Sequence, residues 1–344
     1  MREPDKLMTA REAVKKFVRD GCSLTLANFA TSEPFALVHE VIRQGKRDLY
    51  LIKSSGFMAS DQLLAAGCLR RILTSWHLRM SPTSYYSPID KLLKEKKVEI
   101  EDYTNWTVAA RLLAGAWGLP FFPVRGNSLL VSDIARIRSF EGENKLKVVE
   151  NPFRPEEKVV LVPPLNPDVA LIHAQRADVN GNVQLWGPLG DTVYAALASK
   201  VIIASVEEIV EEENIRRSPF LTLIPEFRVN AIVHEEWGAH PMECLGYYDM
   251  DEPFLLIWYA LLTRKMMESF MDEWIFGVEN RREYIEHYVE RFGIEKLNSL
   301  RAKKYLSDTV NLGSTFEGDM KRWGIDWSFF DQSISEMVEW EVEG

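Results

Sequence analysis

The sequence predicts an open, mostly parallel α/β sheet with helices on both faces, followed by a helical C-terminal region. Short apolar runs alternate with amphipathic stretches through residues 8–213, an order typical of parallel strands joined by helical crossovers. One run, residues 168–174, is almost continuously apolar, which indicates a strand covered on both faces. From residue 254 onward the spacing of apolar residues becomes helical.

The elements follow from periodicity, caps and turn residues. Up to residue 124, the predicted elements are a helix over 8–18 with Thr9 as its N-cap, a strand over 23–29, a helix over 33–44 ending at Gly45, strands over 48–52 and 71–76, a helix over 104–117 and a strand over 121–124. After the turn-rich residues 151–155, the predicted elements are strands over 159–162, 168–174 and 200–205, a helix over 192–198, an acidic helix over 207–213, and helices over 254–271 and 281–292.

This pattern predicts one large domain over residues 1–322, with a possible subdivision near residue 150. Residues 323–344 form an aromatic C-terminal extension, in which Trp323, Trp327 and Trp340 recur among polar residues. Contact with a partner and packing against the chain's own sheet are equally good interpretations of that extension. No internal repeat is visible.

Composition excludes several function classes. The 41 basic and 51 acidic residues give a net charge of -10, which argues against binding along a nucleic-acid backbone. Cys22, Cys68 and Cys244 are too few and too scattered for a disulfide framework or a cysteine zinc site. With no signal peptide or membrane-spanning run visible, we expect a cytoplasmic protein with no membrane association.

The common catalytic and nucleotide-binding motifs are absent, including the P-loop, the dinucleotide fingerprint and the nucleophile elbow. No metal site is predicted, because His234 and His240 lack the i, i+4 spacing of paired ligands.

Three local features remain. Residues 26–31 form a strand-to-helix loop whose amides suit an oxyanion, although an ordinary capped loop is the simpler interpretation. His173, Gln175 and Arg176 end the strongest strand, where ligands bind in such sheets; for His173 a core role is favoured. His240 and Cys244 have the spacing of a thiol–imidazole pair, but a buried structural cysteine is the commoner case.

Several collinear segments resemble the α subunits of class I coenzyme A transferases, most closely those of the glutaconate CoA-transferase type. The similar segments are 118–123, 151–158, 168–175 with Gly181 and 186–187, and 238–241 with Gly246, 248–249 and 253–254. They keep their order and spacing over residues 8–290, and this collinearity is more specific than any single motif.

The resemblance implies an open α/β sheet of the CoA-transferase type and a ping-pong transfer of coenzyme A between an acyl-CoA and a carboxylic acid. It implies a glutamyl-CoA thioester on a β subunit, since the nucleophilic glutamate of the family lies in a β-subunit motif that this sequence lacks. The expected protein is therefore a hetero-oligomer, with coenzyme A as a substrate and no permanently bound cofactor.

The resemblance also suggests site residues. Ala27, Asn28 and Phe29 occupy the place of a Gly-Gly-Phe oxyanion and CoA loop, of which only Phe29 is retained. Asn105 lies where relatives carry a supporting glutamine amide.

A substrate wall is implied around Ser81, with Arg79 or His77 as partners for a substrate carboxylate. Relatives carry an Asn-Ser-Gly pattern in this region, which Met80-Ser81-Pro82 replaces here. Ser81 is the expected source of the hydroxyl group, from a place displaced by one position.

Two alternatives remain open. The first is the α subunit of an acyl-CoA or ring-cleaving hydrolase of the same superfamily, in which water replaces the acceptor acid. Asn105 weakens this hydrolase interpretation, because an amide cannot act as a general base at the position where those hydrolases carry glutamate.

The second alternative is a non-catalytic scaffold. It is suggested by Ala27-Asn28 and by Lys53-Ser54-Ser55, where relatives have a glycine-rich stretch.

Overall fold

A computed structural model describes residues 6–27, 31–77, 95, 97–126, 128–263 and 267–302. Within these ranges the chain forms a central sheet, a small antiparallel sheet and helices on both sides. The strands are β1 (Ser23–Leu26), β2 (Leu49–Ile52), β3 (Ser55–Gly56), β4 (Leu69–Thr74), β5 (Trp76–His77), β6 (Glu99–Asp102), β7 (Phe122–Val124), β8 (Lys147–Asn151), β9 (Arg154–Val162), β10 (Val169–Ala177), β11 (Val183–Gln184), β12 (Val201–Ile209), β13 (Thr222–Ile224) and β14 (Ala231–His234).

The α-helices at 10–17, 35–43, 105–116, 192–198 and 281–292 begin and end close to predicted positions, whereas those at 58–65, 212–217 and 294–299 were not predicted. In chain order, the α-helices are α1 (Ala10–Phe17), α2 (Phe35–Arg43), α3 (Met58–Ala65), α4 (Asn105–Ala116), α5 (Thr192–Ala198), α6 (Glu212–Arg217), α7 (Glu252–Thr263), α8 (Met267–Met271), α9 (Arg281–Phe292) and α10 (Ile294–Ser299). Short 3-10 turns at 133–135, 219–221 and 226–228 and a π-helical turn at 272–276 complete the description.

The central sheet is mostly parallel, as predicted. Its parallel strands lie in the order β14–β12–β10–β1–β2–β4–β6. Near the end of β10, β11 pairs antiparallel with β10, and β13 pairs antiparallel with β11. From β1 the chain builds the sheet outward on one side, and from β10 it builds outward on the other. The strand order therefore reverses between β1 and β10, and such a reversal is where open α/β sheets bind ligands.

Two apolar cores lie on opposite faces of this sheet, so helices do cover both faces. Leu24, Leu51 and Leu171 belong to one core, which is filled by α1–α3 and the C-terminal helices. Ile52 and Ile172 belong to the other core, which is covered by α4 and α5. The alternation follows from the two-residue period of a strand.

One predicted element is wrong. The acidic helix expected over residues 207–213 is absent, because Glu207, Glu208 and Ile209 continue strand β12 and the helix there spans Glu212–Arg217. Glu207 points into the protein and Glu208 reaches the Tyr247 hydroxyl on the other face.

Among the described residues, no helix combines the length and apolarity needed to cross a bilayer. The proposed boundary at residue 322 and the extension over 323–344 lie outside the described residues and stay predictions.

Candidate active site

The candidate site lies at the carboxyl edge of the central sheet, beside the reversal between β1 and β10. Ala27 is the first residue after β1, is buried, and donates its backbone N–H to the Leu171 carbonyl of β10 at 3.0 Å. This contact places the beginning of the predicted oxyanion loop at the point where ligands bind in such sheets.

Asn105 is the first residue of α4, directly after β6. Thr104 caps this helix by accepting a hydrogen bond from the Thr107 N–H at 3.1 Å. The Asn105 side chain is exposed at the N-terminus of a 12-residue helix, where the helix dipole is positive. A negatively charged or polarised oxygen is favoured at such a position.

Serines from two neighbouring strand ends contact the Asn105 side chain. The Ser55 hydroxyl donates to Asn105 Oδ1 at 3.2 Å, and the Ser75 hydroxyl lies within reach of both Asn105 Oδ1 and the Ser54 carbonyl oxygen. Within the described ranges, Asn105 Nδ2 has no hydrogen-bond partner. Its two N–H groups are therefore available as donors to an oxygen atom of a ligand.

Parallel pairing of β3 with β5 brings these serines together. Ser55 lies opposite Trp76 and Gly56 lies opposite His77 in the register. This places the backbone of His77, one of the predicted substrate-binding residues, at the same edge of the sheet.

A buried ion pair adjoins the loop. Lys53 Nζ lies 2.7 Å from Glu33 Oε1, with the two side chains only 3% and 0% exposed. Sequence reasoning missed this pair and the serine contacts. The available signal was a run of polar residues, 53–55 and 74–75, directly after apolar strands.

Four of the predicted site residues, Asn28, Phe29, Arg79 and Ser81, lie outside the described residues. Their convergence with Asn105 stays a prediction. The described part of the site unites residues that follow β1, β2, β4 and β6.

His173 belongs to a buried structural network and not to this site. Its Nδ1 bonds the Ser205 hydroxyl at 2.9 Å and its Nε2 bonds Glu207 Oε1 at 2.7 Å. Gly238 packs so closely on this ring that an added Cβ would lie 2.5 Å from His173 Cε1.

Glu207 also accepts hydrogen bonds from the Tyr248 hydroxyl and from two backbone N–H groups, those of Trp237 and Gly238. The core role favoured for His173 is therefore the observed one.

Gln175 and Arg176 also have structural partners. Gln175 Nε2 donates to the Trp186 and Leu245 carbonyls at 3.0 and 3.2 Å, and Arg176 Nε donates to Gln184 Oε1 at 2.7 Å. These bonds fix β10 against β11 and the following loops.

His240 and Cys244 do not form a thiol–imidazole pair. The His240 ring bonds the Tyr284 hydroxyl at 2.9 Å and the Asp251 carboxylate at 3.2 Å. Burial raises the pKa of the Cys244 thiol well above its ordinary value, so this thiol is not an activated nucleophile.

The possible ligand atoms of His173, Glu207 and Cys244 lie within 4.8 Å of one another. His173 and Glu207 are already engaged by protein hydrogen bonds, and this assigns the cluster to the core.

Comparisons with known proteins show the family of this chain. Residues 7–235 match the family model described as coenzyme A transferase. The A subunit of glutaconate CoA-transferase from Acidaminococcus fermentans is 33% identical over 306 residues, which cover 86% of this chain and 94% of that relative.

The A subunit of 3-oxoadipate CoA-transferase from Pseudomonas knackmussii is 36% identical over 282 residues, which cover 81% of this chain and 96% of that relative. The crystal structure of the Acidaminococcus fermentans glutaconate coenzyme A-transferase matches with a TM-score of 0.76 and 30% identity, over 91% of this chain and 99% of that chain.

Proposed function

This chain belongs to the coenzyme A transferase family, and we propose that it is the α subunit of a heteromeric enzyme that moves coenzyme A between an acyl-CoA and a carboxylic acid. The observation that carries the proposal is the Asn105 amide, which is held by Ser55 at the N-terminus of α4 with its N–H groups available. Such a donor suits the oxygen that gains negative charge when a thioester carbonyl is attacked.

In the proposed reaction a glutamate carboxylate attacks the carbonyl carbon of the acyl-CoA thioester. The C–S bond breaks, coenzyme A leaves as a thiolate, and an acyl–glutamyl anhydride remains. The thiolate then attacks the glutamyl carbonyl and releases the first acid, which leaves coenzyme A as a glutamyl thioester. An incoming carboxylate reverses these steps, so that coenzyme A leaves on the second acid and the glutamate is regenerated.

Each attack forms a tetrahedral intermediate with a negatively charged oxygen. Asn105 Nδ2 and the amide of Ala27 or Asn28 are the proposed donors to that oxygen. Phe29 would belong to the same oxyanion and CoA loop, and Ser81 with Arg79 or His77 would hold the substrate carboxylate. Coenzyme A enters and leaves as a substrate, so no resident cofactor is needed.

The nucleophilic glutamate is proposed to come from a β subunit. Both relatives are named as one subunit of a larger enzyme, which supports a partner chain for this protein as well. The sequence lacks the short serine–glutamate–asparagine–glycine type of motif expected around that nucleophile.

A face of α4 suits this partner. Trp106 is 57% exposed and Trp117, just past the end of the helix, is 63% exposed. With Leu113 they share one side of the helix, because their spacings of seven and four residues return to the same face. This apolar stripe begins beside Asn105, so a chain that brings a carboxylate to Asn105 would lie along it.

The test is acceptor dependence. The chain would be co-purified with a candidate β subunit, then mixed with an acyl-CoA and labelled acetate, glutaconate or 3-oxoadipate. We expect the label to appear in a CoA thioester at a rate that rises with acid concentration. Release of free coenzyme A with no dependence on acid would identify a hydrolase instead. No turnover with a β subunit that carries the glutamate would favour the scaffold hypothesis.

A further inference from the structure

One buried ammonium group contacts both ends of the loop between β1 and α2. Lys53 Nζ donates to the Leu26 carbonyl oxygen, the last of β1, at 3.4 Å. The same nitrogen lies 2.7 Å from Glu33 Oε1, two residues before α2 begins. Leu26 and Glu33, which flank residues 27–32, are therefore joined through a single side chain.

Both members of the pair are themselves fixed. The Lys53 backbone N–H donates to the Leu73 carbonyl at 3.0 Å, which holds it to β4. The other carboxylate oxygen of Glu33 accepts the Ala59 N–H at 3.3 Å, in the first turn of α3. The base of the loop is thus tied to two strands and to a helix N-terminus.

Burying this pair is costly for the fold. Removing two charges from water carries a large desolvation penalty, and apolar residues of similar volume are often as stable or more stable. Stability alone therefore gives little reason for an ion pair at 3% and 0% exposure. The position of the ion pair, across the base of the proposed oxyanion loop, gives a better reason for keeping it.

We infer that Lys53 and Glu33 are positioning residues that set the loop after β1 for transition-state stabilisation. The inference rests on the proposed function and deepens it. Neither residue needs to touch the substrate. Lys53 and Glu33 affect the reaction rate only through the position of the loop. The oxyanion donors of that loop act when negative charge develops on the substrate oxygen in the transition state. Disrupting the pair should therefore lower kcat and leave the KM for acyl-CoA unchanged.

The experiment compares two double variants in the assembled complex. Lys53→Met with Glu33→Gln removes both charges together, so no buried charge is left unpaired. Arg43→Met with Glu40→Gln is the matched control, since Arg43 Nε pairs with Glu40 Oε2 at 3.1 Å near the far end of α2. Steady-state kcat and KM and the thermal midpoint are measured for each.

We expect kcat of the Lys53/Glu33 variant to fall about 100-fold, the effect of a displacement of roughly 1 Å, with KM unchanged. The control should keep the wild-type kcat. A wild-type kcat in the Lys53/Glu33 variant, a change confined to KM, or an equal loss in both double variants would overturn the inference. If that variant does not assemble, Lys53→Arg with Glu33→Asp, which keeps both charges but changes the reach of each side chain, decides: kcat should fall about tenfold at constant KM, and an unchanged kcat overturns the inference.

The two ideas fail separately. A wild-type complex with no CoA transfer contradicts the proposed function and this inference with it. An active wild type whose Lys53/Glu33 variant is equally active contradicts the inference alone.

Discussion

The two ends of the Asn105 side-chain amide, its oxygen and its nitrogen, differ in their hydrogen bonding. Its oxygen is held by the Ser55 hydroxyl, and its N–H groups have no partner in the described part of the chain. Because Ser55 belongs to β3 and Asn105 begins α4, the orientation of the amide depends on two elements that are 50 residues apart. The proposed oxyanion role requires a donor of this kind, one that is fixed before the substrate arrives.

Replacing Asn105 tests that role. Asn105→Ala should lower kcat about 100-fold or more, because one oxyanion donor is removed. The Ala side chain is well tolerated in a helix, so the thermal midpoint should change little. Asn214→Ala, another exposed asparagine on a helix, is the control and should keep the wild-type kcat. A wild-type kcat in Asn105→Ala would remove Asn105 from the mechanism.

Buried histidines make stability depend on pH. Burial lowers the pKa of His39 well below its ordinary value of 6.5, and the nearby Arg281 and Arg43 charges lower it further. Below about pH 6.5 the unfolded chain therefore binds a proton that the folded chain excludes. The contribution of neutral His39 to the free energy of unfolding is therefore fully present above that pH and is lost as the pH falls.

We expect the urea midpoint to decrease between pH 7 and pH 5.5, with a slope of up to about 1.4 kcal/mol per pH unit from His39. His39→Gln should show a shallower decrease, since its side chain does not titrate. His240 adds to the slope of both proteins, because burial lowers its pKa as well. Equal slopes for wild type and variant would contradict this assignment.

Sequence reasoning named Asn105 as a candidate from its residue type and the resemblance, and that role stays a prediction. It did not predict the contacts that surround the Asn105 side chain. The Ser55, Ser75 and Lys53–Glu33 contacts depend on strand register and on how the strand ends meet, which local composition does not encode. The role of His173 as a core residue was favoured correctly, because a lone histidine in an apolar strand is usually satisfied within the fold.

At the scale of single elements, local signals predicted the ends of several helices. Thr9 caps α1 and Glu12 completes a capping box, with the Thr9 N–H donating to Glu12 Oε2 at 2.9 Å. Gly45 adopts a φ of +64° directly after α2 and its C-cap, the conformation that favours glycine there. These signals lie within a few residues of one another, so they can be read from sequence.

The acidic residues at the end of β12 show where local signals fail. A run of glutamates favours a helix by propensity. Glu207 nevertheless lies in a strand, where its buried carboxylate has four hydrogen-bonding partners. Those partners come from β10 and from residues 237–248, so tertiary contacts override the local preference.

The exposed stripe on α4 gives a prediction at this scale. Trp117→Glu places a charge on the proposed partner face and should weaken association of the two chains at least tenfold, as loss of a central aromatic anchor does. Phe276→Glu is the control, because Phe276 is exposed in the helical layer that covers the other face of the sheet. Dissociation constants from analytical ultracentrifugation would compare them. Equal affinities would exclude this face from the interface.

At the scale of the whole described structure, the main feature is a mostly parallel sheet whose two halves meet between β1 and β10. Alternating strand and helix patterns predicted the parallel sheet, because parallel strands need crossover connections. The antiparallel sheet of β7, β8 and β9 was not predicted as a unit. Its strands are mostly exposed and its pairing is set by the register of β9 with β7 and β8, so apolar periodicity gives little signal.

This architecture leaves the proposed chemistry incomplete in one chain. The carboxyl edge of the sheet presents an amide, hydroxyls and a helix N-terminus, all of which stabilise negative charge. The isolated chain should therefore bind coenzyme A thioesters weakly and turn them over no faster than buffer does. Thiol release measured with and without the β subunit would show this, and turnover by the isolated chain would contradict it.

Locating the covalent intermediate tests the central claim most directly. The assembled complex is incubated with acyl-CoA, the two chains are separated under denaturing conditions, and the intact mass of each is measured. We predict an added coenzyme A on the partner and an unmodified mass for this chain. Coenzyme A attached to this chain, or an actively transferring complex in which neither chain becomes modified, would contradict the account.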